Sequence, residues 1–226
     1  MTARERAAEL VEILPEVYPG AHCELQFKNP LQLLVATILS AQCTDKRVNM
    51  VTPALFAKYR TAKDYADASP ATFEEEIKTT GFFRNKTKSV LGAARLIAAE
   101  HGGKVPNTME ELHALPGVGR KTANVVLGNA FHKSEGVVVD THVARLSQRL
   151  RLTRQTNPEK IEADLMKIVS REHWTMWSHW LIRHGRRRCF ARKPDCSACE
   201  VFQLCPSGEK FLKTAVAQNP ISDLPS

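Results

Sequence analysis

Apolar residues in this chain recur with a helical period along most of its length, and no stretch of more than a few residues alternates with period two. Residues 4–14 put Ala7, Leu10, Val11 and Leu14 on one side of an amphipathic helix, which Pro15, Pro19 and Gly20 close. Asn29 and Pro30 have the chemistry of a cap and a first helical position. Residues 31–41 behind them are apolar nearly all round, which places that helix at the centre of a core. Three short helices follow, starting at Thr52-Pro53, Thr61 and Ser69-Pro70, and Gly81 ends the third. Residues 81–86 read as a loop, and residues 86–100 as a long helix with Val90, Ala94, Leu96, Ile97 and Ala98 on its apolar side. Thr108 and Glu111 are spaced as a capping box and open a short helix that Leu115-Pro116 stops. Residues 122–131 resume as a helix with Ala123, Val126, Leu127 and Ala130 on one face. Asp140 stands where a cap belongs, before Val143, Leu146 and Leu150. Asn157-Pro158 opens another helix, and residues 172–186 form one more, carrying Trp174, Trp177, Trp180 and Leu181. There is no internal repeat, and the fold class is all-α.

The stretch between the paired helices of residues 108–131 carries chemistry. Gly117 and Gly119 flank Val118 and permit backbone angles closed to other residues. A helix that opens out of such a hairpin directs N–H groups outward at its positive end, which suits a phosphate. Arg120 and Lys121 add positive charge at the same place. On these residues alone, an ordinary helical corner with solvated cations is an equal reading. However, the run LPGVGRKTANVV resembles, without a gap, the helix-hairpin-helix of the endonuclease III family of DNA glycosylases. That family implies a catalytic aspartate after a Gly/Pro-rich loop, and Asp140 follows Gly136-Val137-Val138-Val139 at the expected distance.

Composition narrows the partners. The 226 residues suit one large domain or two small ones, and the net charge of +8 favours a polyanion. No apolar run reaches the roughly 20 residues of a membrane span, and the charged start Met1-Thr2-Ala3-Arg4-Glu5-Arg6 lacks the apolar core of a signal peptide. A cytoplasmic location is expected, nucleoid-associated in a bacterium, with no membrane partner. In that reducing compartment the six cysteines are expected as thiols or metal ligands rather than disulfides. Four of them form the pattern Cys189-x6-Cys196-x2-Cys199-x5-Cys205. One C-x2-C pair with uneven loops suits an iron–sulfur cubane at least as well as zinc, and spacing alone leaves both open. The same 6-2-5 pattern resembles the [4Fe-4S] loop of the endonuclease III family, which selects the cluster.

The resemblance spans residues 5–206 and implies a layout that the residues alone do not give. A six-helix barrel domain, 23–133, would contain the helix-hairpin-helix. An iron–sulfur domain would join 1–22 to 134–207, the DNA groove would lie between the two, and 208–226 would be a polar tail, mobile at its end, in which Phe211-Leu212 packs. The partner is double-stranded DNA with damaged bases or abasic sites, bound by a monomer. Main-chain groups from Leu115, Gly117, Val118, Gly119 and Arg120 would grip phosphates without reading sequence. Gln42, in the segment Leu39-Ser40-Ala41-Gln42-Cys43-Thr44-Asp45 that looks like the family's LSAQ-x-TD, would enter the gap left by an extruded base. Phe82 stands at the position of the strand wedge, where many relatives carry an aliphatic residue. Arg192 and Lys193 would be presented to phosphates by the cluster loop. Lys121 would attack the sugar as an amine and form a Schiff base, its pKa lowered by burial near Arg120 and by the helix end. Asp140 would take a proton and stabilise positive charge on the sugar.

The implied activity removes oxidised pyrimidines such as thymine glycol and then cuts the strand 3′ to the abasic site by β-elimination. A monofunctional adenine-mismatch glycosylase of the same superfamily is the nearest alternative. It typically lacks a lysine at the position of Lys121 and carries a further domain beyond the cluster, so Lys121 and the short stretch after Cys205 count against it. A non-catalytic DNA-binding module with a structural metal, and an electron-transfer protein, are the readings outside enzymatic repair.

Overall fold

The structure, a computed structural model, describes residues 1–212, so the expectation for the end of the tail, 213–226, lies outside the described residues. Every regular element among the described residues is helical, as the periodicity predicts. In chain order the helices are α1 (Ala3–Val17), α2 (Pro30–Leu39), α3 (Asp45–Lys58), α4 (Ala62–Ala66), α5 (Pro70–Ile77), α6 (Phe83–Glu100), α7 (Met109–Ala114), α8 (Arg120–Ala130), α9 (Thr141–Arg149), α10 (Pro158–Ile168) and α11 (Trp174–Arg187). Short 3-10 turns lie at Lys78–Thr80, Arg171–His173 and Phe202–Leu204. Among the described residues no helix is long and apolar enough to cross a membrane. The chain divides into two compact units. One is Cys23–Glu135, and the other joins Met1–His22 to the residues from Gly136 onward.

In the Cys23–Glu135 unit, α2 is central. Asn29 caps it by accepting the Gln32 N–H at 3.0 Å, and Pro30 fills the first position, where no N–H is needed. Every residue of 33–39 is buried, because α3, α6 and α8 all pack on this one helix. Each of these leucine and isoleucine side chains contributes about 1.5–3 kcal/mol by leaving water. Tyr59, Tyr65 and Phe73 add a cluster of rings, with Tyr59 and Tyr65 stacked at 4.9 Å.

Two elements of this unit correct the sequence reading. The helix expected to start at Thr52-Pro53 begins at Asp45, capped by Thr44, whose hydroxyl accepts the Arg47 N–H at 3.3 Å. Thr52 and the exposed Pro53 lie inside it. The buried stripe of Val48, Thr52 and Leu55 runs through the proline, and burying it outweighs the one helical bond that Pro53 cannot make. The loop expected over 81–86 is mostly helix, since α6 begins at Phe83. Gly81 (φ +72°) and Phe82 (φ +49°) turn the chain through left-handed geometry directly into it.

In the unit built from both chain ends, α1 packs against α10 and α11, and Leu10, Leu14, Leu165, Trp177 and Leu181 share one core. Pro15 does not close α1, which continues to Val17 so that Tyr18 also reaches that core. A reciprocal capping box of Thr2 and Glu5 starts it, a T-x-x-E signal that was present in the sequence and not read. Thr108 caps α7, but the box expected there is not reciprocal. The Thr108 hydroxyl meets the Glu111 carboxylate at 2.6 Å, while accepting the Glu111 N–H.

Candidate functional site

The hairpin between α7 and α8 is built by three contacts. The buried side chains of Leu115 and Val118 anchor it in the core, and the Val118 N–H closes the turn on the Leu115 carbonyl at 3.1 Å. With those side chains inward, Leu115 and Val118 can offer a ligand only main-chain groups. Gly117 has φ +76°, and a Cβ there would lie 2.4 Å from both Cβ and Oγ of Ser89 on α6. Glycine is therefore required twice, for its dihedral and for the close approach. Gly119 is the cap residue of α8 and supplies no side-chain hydrogen bond, so no capping side chain covers the amides of the first turn. Gly117→Ala is expected to destabilise the protein by about 2–4 kcal/mol, from left-handed strain plus overlap. Adding Ser89→Gly should recover the overlap and not the strain, and denaturant melts of the single and double variants check this.

Lys121 is the second residue of α8 and is exposed. The burial expected of it is absent, because the helix turns Ala123, Val126 and Leu127 inward and its first turn outward. Asp140 caps α9 as read from the sequence. Its Oδ1 accepts the His142 and Val143 N–H groups at 2.8 Å each, and its Oδ2 lies 3.1 Å from His142 Nδ1. One carboxylate oxygen is thus committed to the backbone and the other to a ring that the sequence reading had not singled out. The side chain stays 20% exposed.

Gln42, just past α2, has φ +53° and is exposed, and Phe82 is 63% exposed. Both line one cavity of about 250 Å³ with Lys86, Ser89 and Gly117. Left-handed geometry costs a non-glycine residue about 1–2 kcal/mol. Two such residues facing the same cavity as the hairpin glycine set this place apart as more than a helix end.

The four cysteines line a second, narrow pocket between α9, α11 and the segment after it. Cys189 lies two residues past α11, its N–H on the His184 carbonyl at 2.9 Å, and its thiol receives the Arg149 guanidinium at 3.1 Å. Arg149 also donates to the Phe190 and Ala191 carbonyls at 2.7 Å each, while Arg145 donates to the Cys189 carbonyl at 3.0 Å. Cys199 Sγ lies 3.6 Å from Nε2 of buried His184, whose Nδ1 meets the Tyr18 hydroxyl at 2.8 Å. Burial, with a smaller push from the neighbouring cysteine charges, raises the Cys199 thiol to about 11. Cys196 and Cys205 shift upward for the same reasons. Cys196, Cys199 and Cys205, held back from ionising in this way, make with Cys189 a donor set that a cation would stabilise. Among the described residues, no three His, Cys, Asp or Glu side chains converge on a point suited to a single ion. Phe211 packs under Arg149, its ring 4.5 Å from the guanidinium carbon. Arg192 and Lys193 lie exposed on the loop between the first two cysteines. Neither the burial of Lys86 nor the Arg149 and His184 contacts were read from the sequence. A buried lysine has no periodic signature, and the other two act across long separations.

Residues 35–171 match the family model described as HhH-GPD superfamily base excision DNA repair protein. Endonuclease III of Synechocystis sp. is 56% identical over 206 residues, covering 91% of this chain and 94% of the relative. A solved non-covalent endonuclease III–DNA complex aligns with a TM-score of 0.88 at 40% identity, over 94% of this chain and 100% of that one. A trapped endonuclease III–DNA covalent intermediate, estranged-adenine complex, aligns equally well at TM-score 0.88, with 40% identity and the same 94% and 100% coverage. With identity at this level over nearly its full length, the chain belongs to the endonuclease III family, within the HhH-GPD superfamily of base excision DNA repair proteins.

Proposed function

We propose that this protein is a base-excision DNA glycosylase and abasic-site lyase, acting as a monomer in the cytoplasm on duplex DNA that contains oxidised pyrimidines such as thymine glycol. The observation that carries the reading is the hairpin. Gly117 brings the turn against Ser89, Gly119 gives α8 no capping side chain of its own, and Lys121 stands exposed on that first turn. The trapped covalent intermediate of a relative supports a covalent route.

The chemistry follows from an amine nucleophile. The neutral Lys121 Nζ attacks C1′ of the extruded nucleotide, the C1′–N bond breaks, and the base leaves with a proton. The adduct opens to an imine, which acidifies C2′. Loss of a C2′ proton then expels the 3′ phosphate by breaking C3′–O, and water releases the lysine. Asp140 accepts the proton shed by the amine or the sugar hydroxyl and stabilises positive charge on the sugar. Its Oδ1 is engaged by two backbone N–H groups, so Oδ2, which meets His142 Nδ1 at 3.1 Å, is the oxygen that would take the proton. Gln42 and Phe82 fill space left by the extruded base, and hairpin amides with Arg120, Arg192 and Lys193 hold phosphates. Under single-turnover conditions on a thymine-glycol duplex, base release and 3′ strand cleavage are both expected. Release without cleavage would remove the lyase half of the reading.

The cysteine pocket fits a [4Fe-4S] cluster. It offers four thiols around a shared space rather than a point, with Arg149 and His184 directed at two of the sulfurs. Cys189, Cys196, Cys199 and Cys205 would hold the cluster, which would supply rigidity to the loop bearing Arg192 and Lys193. Purified protein is expected to contain iron and acid-labile sulfide. Cys199→Ala should lose both and lower the melting temperature, and zinc without sulfide in the wild-type protein would contradict the assignment.

A further inference from the structure

Lys86 is the fourth residue of α6 and only 4% exposed, an unusual place for an ammonium. Its Nζ donates to the Thr80 carbonyl at 2.8 Å. That carbonyl is the last of the 3-10 turn Lys78–Thr80, immediately before the two left-handed residues Gly81 and Phe82. The Lys86 backbone N–H meets the Phe82 carbonyl at 3.1 Å, so one residue holds the turn from both sides. Lys86 lines the cavity that Gln42, Phe82 and Gly117 also line. Burial lowers the affinity of this amine for its proton, with the Cys43 thiol pulling the other way. Keeping a charge in so buried a position is costly, and the hydrogen bond it makes falls on the turn that displays the exposed Phe82 ring.

We infer that Lys86 is a positioning residue for strand opening: its bond to the Thr80 carbonyl fixes the Gly81-Phe82 turn so that Phe82 stands beside Gln42 over their shared cavity, ready to enter duplex DNA. This rests on the reading of Phe82 as a DNA contact, and the two are separable by a double-mutant cycle. Lys86→Met preserves length and apolar packing while leaving a buried carbonyl unsatisfied. Lys86→Gln retains an N–H donor without the charge and serves as the conservative variant.

The readouts are the single-turnover rate of base release at saturating enzyme and the fluorescence of 2-aminopurine placed opposite the lesion, which reports unstacking. Phe82→Ala is expected to reduce both. Lys86→Met should slow base release about tenfold to a hundredfold and blunt the fluorescence rise, with affinity for undamaged duplex unchanged. Lys86→Gln should recover most of the loss. In the Phe82→Ala background, Lys86→Met should cost little more. Equal losses in both backgrounds, or no loss in either, would overturn the positioning role. An inert Phe82→Ala beside a damaging Lys86→Met would overturn it too, because the lysine would then act through something else.

Discussion

Lys121→Gln is expected to abolish the covalent protein–DNA species that borohydride traps on a thymine-glycol duplex, and to slow strand cleavage by about a thousandfold or more. Glutamine removes the nucleophile and little else. Lys121 is exposed on the first turn of α8, and glutamine has nearly the helix propensity of lysine, so the melting temperature should hold. Duplex binding should persist with a slightly shallower salt dependence, since one cation is gone. The exposure of Lys121 adds a condition. In the free protein its side chain is open to solvent, and bound DNA would cover it. Reductive labelling of Lys121 should therefore change when an abasic-site analogue binds. A mutant that still gives the trapped band would move the nucleophile elsewhere.

Asp140→Asn should lower single-turnover base release by about a hundredfold to ten-thousandfold while leaving the fold intact. The distinction rests on the cap. Asparagine is as good an N-cap as aspartate, and its amide oxygen can accept the same His142 and Val143 N–H groups at the start of α9. Alanine at this position would confound the two roles, because it removes the cap along with the charge, at about 0.5–2 kcal/mol. Matched melting curves for the wild type and Asp140→Asn, with unmatched rates, would separate chemistry from capping. Matched rates would leave Asp140 as a cap alone.

How much of this was legible in the sequence depended on whether a signal was local. The caps at Asn29, Thr61, Ser69, Asn157 and Asp140 are where the sequence placed them, because a cap is a short-range hydrogen bond between a side chain and the next turn. The all-round apolarity of residues 33–39 likewise marked the central helix. Proline was over-read. At Pro15 and Pro53 the helix continues, since burial of Leu14 and Tyr18 in one case, and of Val48, Thr52 and Leu55 in the other, is decided by tertiary packing that a local breaker rule does not see. The left-handed geometry at Gln42 and Phe82 was hidden because neither is glycine or asparagine. The motifs located Lys121 and the cysteines, but not the exposure of the lysine or the arginine and histidine directed at two of the sulfurs.

The unit made from both chain ends has a consequence for synthesis. Arg4 on α1 donates to the carbonyl of Lys167, 163 positions further along. At roughly 5–20 residues per second, a ribosome needs on the order of 10–30 s to cover that gap. For most of that interval Leu10 and Leu14 lack their core partners, from Val137 to Leu181, while the Cys23–Glu135 unit emerges complete behind them. Helix α1 is thus made long before much of the core it enters, and it is a part of this chain that a ribosome-bound chaperone would be expected to hold.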